Sequence, residues 1–223
     1  MPGLVSGLAL ALIALVAFPP GVSAGDTWPV LGVRMNLRDP GGDAEPERRR
    51  MSIMATDKLT DEPFNGNPTL DGADLTIITR GEGGIEYSQT IHLPAEGWIE
   101  TLKKHDWPVF KSYLFSNRDV GGPVRRVIVR RAGFASPEGT PPPEQPDPHW
   151  FRMKVVMVGK EGPITVVPPN PATEAGVFLT LGTGDTYCSG FGGAAGGTFA
   201  RANDEKRFTV RRPELDVCPV PSP

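Results

Sequence analysis

The sequence predicts an all-β protein, an antiparallel β-sandwich or jelly roll, on three observations. Apolar residues recur with a two-residue period along most of the chain, the signature of strands with one face buried. Its 27 glycines and 25 prolines punctuate the chain too densely for long helices. Only one short stretch carries helical spacing.

The amino-terminal segment comes first in chain order. Leu8 to Phe18 is an unbroken run of eleven apolar residues, followed by Pro19-Pro20-Gly21 and then by Val22-Ser23-Ala24. That order is the apolar region, breaker and small-x-small cleavage site of a secretory signal, although no Lys or Arg precedes it. Residues 1–24 are therefore expected to be a cleaved signal, with a mature protein that begins near Gly25 and is secreted or periplasmic. Eleven apolar residues fall short of the ~20 that a spanning helix needs, and no later run approaches that length. No membrane span is expected after signal removal.

Removal of 24 residues from 223 leaves 199, enough for a single β-sandwich domain over 25–223 with a substantial core. Val33, Met35 and Leu37 alternate with Arg34, Asn36 and Arg38, and Met51, Ile53 and Ala55 alternate with Ser52 and Met54. The same period runs through Leu75 and Ile77, through Ile85, Tyr87 and Ile91, and through Phe151, Met153, Val155 and Met157. Further strands are expected over 124–129, 164–167, 177–181 and 208–210, for a total of roughly nine to eleven, the complement of a sandwich. The single helical spacing is Trp98 to Leu102, within 96–104, where Gly97 weakens the helix and Pro108 limits it.

Three segments read as loops. Residues 38–47 are acidic and carry glycine, and residues 57–74 mix Asn, Asp, Pro and Gly. Residues 134–149 hold six prolines and read as a Pro-rich loop inserted into the domain. Gly190 to Gly197 is expected to form a hairpin tip.

Two cysteines, Cys188 and Cys218, are present. In an oxidising compartment they most simply pair, pinning the proline-rich tail.

Several segments from Asn67 onwards stand in a suggestive order: NPTLDGADLTIITRG (67–81), IHLPAEGW (91–98), GPVRRVIVRR (122–131), VFLTLGTGDTYCSGFGG (177–193) and RFTVRRPELDVCP (207–219). Together they resemble an uncharacterised module of secreted bacterial proteins. In it a DPT…GA turn precedes a strand, LPA.GW follows, and YC..FGG lies before a final Cys-Pro. The resemblance covers about two-thirds of the mature chain. It implies a predominantly β secreted domain with a Cys188–Cys218 disulfide, and it carries no activity with it. The Pro-rich loop departs from that pattern.

Chemistry-bearing residues are sparse. Three histidines, His92, His105 and His149, are the available bases for nucleophilic catalysis, and no G-x-S-x-G elbow accompanies them. No His or Cys spacing suits zinc. Calcium needs only oxygen ligands, and Asp57, Asp61, Glu62, Asn65, Asn67, Asp71 and Asp74 crowd one loop. The same residues also populate β-turns for conformational reasons, and the spacing is not that of an EF-hand. Trp98, Trp107 and Trp150 are candidates for a sugar-stacking platform, with core packing as the competing fate.

The formal charge is -3, with 23 basic against 26 acidic residues. The clusters Arg48-Arg49-Arg50, Arg125-Arg126, Arg130-Arg131 and Arg211-Arg212 are interleaved with acidic loops. They read as solvated strand faces and edge protection rather than as a nucleic-acid site. No catalytic residue and no cofactor is expected, calcium being the one cofactor that the composition leaves open. The function expected is a non-catalytic secreted binding, structural or surface-interaction module with a glycan or protein ligand. The alternative is a secreted hydrolase acting on glycans through paired carboxylates.

Overall fold

The computed structural model describes residues 25–57, 64–103, 109–118, 120–134, 150–213 and 218. The signal segment, Asp61, Glu62, His105, Trp107, His149 and residues 135–149 of the Pro-rich loop lie outside the described residues.

Among the described residues thirteen strands form two sheets. The smaller contains β1 (Thr27–Pro29), β4 (Ala73–Gly81), β5 (Glu86–Leu93), β10 (Ala172–Leu181) and β11 (Thr186–Gly192), in the order β1-β11-β10-β4-β5. The larger contains β2 (Gly32–Arg38), β3 (Arg50–Asp57), β6 (Trp98–Lys103), β7 (Val109–Ser116), β8 (Val124–Phe134), β9 (Trp150–Val158), β12 (Thr198–Asp204) and β13 (Arg207–Arg211). Its order is β12-β13-β2-β3-β9-β8-β7-β6. Every pairing is antiparallel except β1 with β11. One helical turn, α1 (Pro68–Asp71), and six 3₁₀ turns connect the strands. Among the described residues no helix is long and apolar enough to cross a membrane.

The two-residue period does the work expected of it. Met35, Leu37, Met51, Ile53, Ala55, Met153, Val155, Met157, Val127 and Val129 turn inward from the larger sheet and meet Leu75, Ile77, Val177 and Leu179 from the smaller. An aromatic cluster joins the layers: Phe151 stacks on Tyr187 with ring centroids 4.6 Å apart, and Phe64 packs against both and against Tyr113. Burying one such side chain stabilises the fold by about 1.5–3 kcal/mol.

Three sequence expectations are corrected. The helix expected over 96–104 is not formed by its described part, residues 96–103: a 3₁₀ turn at Ala95–Gly97 leads directly into β6. Trp98 buries its ring against Phe115 at 5.4 Å, and its Nε1 donates to the Leu93 carbonyl at 3.2 Å. Gly97 lies so close to the Phe115 ring that a Cβ there would come within 2.3 Å of it. Tertiary packing thus overrides a helical spacing of only two apolar residues. The strand expected at 164–167 makes no ladder either. Ile164 and Val166 are buried, but the Gln89 amide bonds the Pro163 carbonyl and the Thr165 N–H in place of strand backbone. The glycine-rich tip is also shorter than expected, because Gly190 and Gly192 belong to β11 and are buried.

Cys188 and Cys218 are disulfide-bonded across a separation of 30 residues. Cys188 lies on the outward side of β11 and is fully buried, so the disulfide holds Cys218 on the outer side of the smaller sheet. Closing a loop of that length contributes about 3.5 kcal/mol in the chain-entropy description.

Candidate functional site

The residues singled out for calcium chemistry are placed by the fold as separate structural parts. Asn67 caps α1, its Oδ1 accepting from Thr69 N–H at 3.0 Å and from Thr69 Oγ1 at 2.8 Å. Asp71 lies within α1, Asp57 ends β3, and Asp74 on β4 faces His92 on β5 at 2.9 Å. Gly66 has φ of +100° and sits against the Leu181 carbonyl, where a Cβ would come within 1.9 Å. That stretch is shaped by close backbone approach. Among the described residues no three His, Cys, Asp or Glu side chains are grouped to hold a metal ion.

The register brings together something else. Outward positions of β13, β2, β3, β9 and β8 align in rows across the larger sheet. One row reads Arg207, Arg38, Arg50 and Val158. The next is uncharged from Thr209 through Asn36, Ser52 and Val156, then reaches Arg126. A third reads Arg211, Arg34, Met54, Lys154 and Ile128. The fourth places Thr56, Arg152 and Arg130 side by side. Nine cations therefore occupy one face, and the carboxylate in register with them is Asp204 on the edge strand β12, opposite Arg207. Eight are exposed and Arg34 is half-buried. None of the nine is ion-paired among the described residues.

Four of these neighbours are like charges directly opposite one another: Arg207 with Arg38, Arg38 with Arg50, Arg211 with Arg34, and Arg130 with Arg152. Each such pair costs a sheet roughly 0.2–1 kcal/mol. The polar row supplies a little local order, since Asn36 Oδ1 accepts from Thr209 Oγ1 at 2.8 Å and from Arg38 Nε at 3.5 Å.

At one end of the face the sheet opens into a groove of about 810 Å³. Arg38, Arg50 and Arg207 reach it from the strands, Arg48, Lys160 and Lys206 from the adjoining turns, and Glu47 and Asp204 are the carboxylates in its lining. Elsewhere on the face a shallow hollow of about 280 Å³ is lined by Val33, Met54, Thr56, Trp150 and Arg152. Trp150 is half-buried there. Of the three tryptophans considered for stacking, Trp150 lines this hollow and Trp98 is core.

The arginine doublets divide across the sheet because neighbouring residues on a strand face opposite ways. Arg130 is exposed while Arg131, next to it, is 2% exposed and lies beside the Tyr187 hydroxyl. Burial pushes Tyr187 well above the usual tyrosine range; Asp185 adds to the shift and Arg131 opposes it. Arg49, between exposed Arg48 and Arg50, is buried. Its Nε lies 3.0 Å from Asp39 Oδ2, and its two terminal nitrogens donate to Asp43 Oδ1 at 2.6 Å and to the Ile164 carbonyl at 3.1 Å.

No protein-family model, curated protein or solved structure matches this chain.

Sequence inspection registers each basic cluster but not their assembly. The signal available was the polarity of the alternating partners: Arg34, Asn36 and Arg38 on one strand, Arg50 and Ser52 on another, Arg152 and Lys154 on a third. Joining them needs the strand order.

Proposed function

We propose that this protein is an exported, non-catalytic binding module whose basic sheet face takes an acidic glycan. The observation that carries the reading is the collection of nine cations on one sheet face, with Asp204, opposite Arg207 on the edge strand β12, as the carboxylate in register with them. Eight of the nine are arginines, whose planar forks suit bidentate contact with sulfate, phosphate or carboxylate groups. Trp150, half-buried in the hollow beside Arg152, is an aromatic of the kind on which sugar rings stack. The disulfide is compatible with an oxidising compartment.

Two features favour a glycan over a nucleic acid. A broad sheet face does not enter a duplex groove about 12 Å wide, as a helix or two-stranded ribbon does. Single-stranded nucleic acid is held by successive aromatic platforms, whereas the four rows hold no aromatic side chain and Trp150 stands beside them in its hollow. The hydrolase alternative has less support. The neighbouring carboxylates Asp39 and Asp43 are bridged by Arg49, and Glu86 and Glu174 by Arg80.

The test is titration of the full chain with heparin as a sulfated glycan, alginate as a uronate polymer, dextran as a neutral one, and single- and double-stranded DNA. Expected are binding to the acidic glycans, a logarithmic fall in affinity with salt, and weakening by Trp150→Ala. Equal binding to dextran, or binding to none of the glycans, would sink the reading. Preference for DNA would replace the glycan with a nucleic acid.

A further inference from the structure

We propose that the groove at the end of β2, β3 and β13 is a discrete site for a sulfate or phosphate monoester, a pendant group of the acidic glycan. The inference rests on the glycan reading and narrows it to one place and one chemical group.

Three arginines converge there by register. Arg207 opposes Arg38, and Arg38 opposes Arg50, so their backbones are successive neighbours at the 4.7–4.9 Å spacing of sheet strands. Guanidinium groups rooted so closely repel one another in water and gain most when one multiply charged group lies between them. A tetrahedral oxyanion supplies several acceptor oxygens to such a set at once. Lys160 and Lys206 add charge from two turns, and Val158 and Pro40 contribute apolar surface. At about 810 Å³ the groove is within the range of small-ligand pockets, with room for the sugar that bears the anion.

The carboxylates nearby do not neutralise this set. Arg48 is paired with Glu45, which leaves Arg38, Arg50, Arg207, Lys160 and Lys206 against Glu47 and Asp204. Asp204 Oδ1 also accepts from the Lys206 backbone N–H at 2.9 Å and so shapes the turn that presents Lys206.

The walls are fixed before any ligand arrives. Asp39 N–H donates to the Lys206 carbonyl at 2.8 Å, and Gly159 N–H to the Arg49 carbonyl at 2.8 Å. These bonds tie the β12–β13 turn and the β9 end to the segment around Arg49. Arg49 is a positioning residue: its grip on Asp39, Asp43 and Ile164 holds the turn that carries Arg48. Preorganised cations bind an anion without first ordering their own backbone.

Calorimetric titration of the full chain with glucose 6-sulfate, glucose 6-phosphate and glucose tests the site, with heparin as the polymer. Two triple variants are compared: R38Q/R50Q/R207Q in the groove, and R34Q/R130Q/R152Q on the far rows. Expected is saturable binding of at least one monoester and none of glucose. The groove variant should lose about tenfold or more for the monoester, while the far-row variant loses heparin affinity but keeps the monoester. Sulfate and phosphate are separated by which ester binds more tightly. Equal monoester affinity in both variants, or heparin binding with no monoester binding, overturns the groove site and leaves the glycan reading standing. Absence of both heparin and alginate binding in the unsubstituted chain overturns both. Lys160→Gln, at an exposed turn, is a second groove variant with the same expected direction should the triple variant not fold.

Discussion

On the outer face of the smaller sheet, Arg80 lies between Glu86 and Glu174 at 2.7 and 2.9 Å, Asp74 faces His92, and Thr76 and Thr180 share hydroxyl hydrogen bonds with Thr90 and Thr186. On the outer face of the larger sheet, Arg38 faces both Arg50 and Arg207, and Arg130 faces Arg152. The first surface satisfies itself across its strands; the second sets like charges opposite one another. Both are built from polar residues alternating with core residues, so their hydropathy patterns are alike. The sign of each cross-strand pair separates them. A near-neutral chain can therefore carry a strongly basic face, because charge summed over a sequence ignores which residues share a surface.

The largest expected effect concerns the buried arginine at the margin of the basic face. Arg49→Met strands the buried carboxylate of Asp39, and removing one partner of a buried pair costs about 3–5 kcal/mol. Urea unfolding should show a lower midpoint at an unchanged slope. A loss below about 1 kcal/mol, the range of exposed pairs, would place Arg49 with the solvated arginines instead.

The interior between the faces gives the next effect. Tyr187 titrates above the usual range in the folded state because it is buried, with Asp185 reinforcing and Arg131 opposing. The unfolded chain releases that proton near pH 10, before the native state does. Stability is therefore intact below about pH 10 and falls beyond it, by up to about 1.4 kcal/mol per pH unit. Tyr187→Phe should reduce this alkaline loss in thermal melts taken from pH 8 upward. An unchanged slope would assign the loss to other groups and separate Tyr187 from the contrast between the faces.

The smallest effect compares the faces most directly, through opposite signs. At low salt Arg38→Thr relieves two like-charge neighbours and should stabilise by about 0.2–1 kcal/mol. Arg80→Thr removes two attractive partners and should destabilise by roughly 0.5–1 kcal/mol. Added salt should shrink both differences. Equal signs in paired melting curves would mean that the two surfaces are not electrostatically distinct.

Much of this architecture is written in local pattern. The strands around Met35, Ile53, Ile77, Val127, Val155 and Val177 stand where alternation places them, because a half-buried strand imprints its period on the residues themselves. The misses have local causes as well. Trp98 and Leu102 are four residues apart and imitate a helix, but the contact of Gly97 with Phe115 is long-range. Ile164 and Val166 are buried as a strand would be, yet their segment is held by the side chain of Gln89. The candidate site was legible only in pieces. Arg34, Arg50, Arg126, Arg152 and Arg207 are spread across most of the chain, and nothing local tells Arg130, exposed, from Arg131, buried.

By itself, the sequence determined the class of the fold: two-residue alternation under frequent glycine and proline builds strands, and two cysteines in a β domain form a staple. The tertiary structure alone decided the basic face. Strand order and register set which outward residues become neighbours, and they are fixed by how the inward residues pack, one layer away from the charges they align.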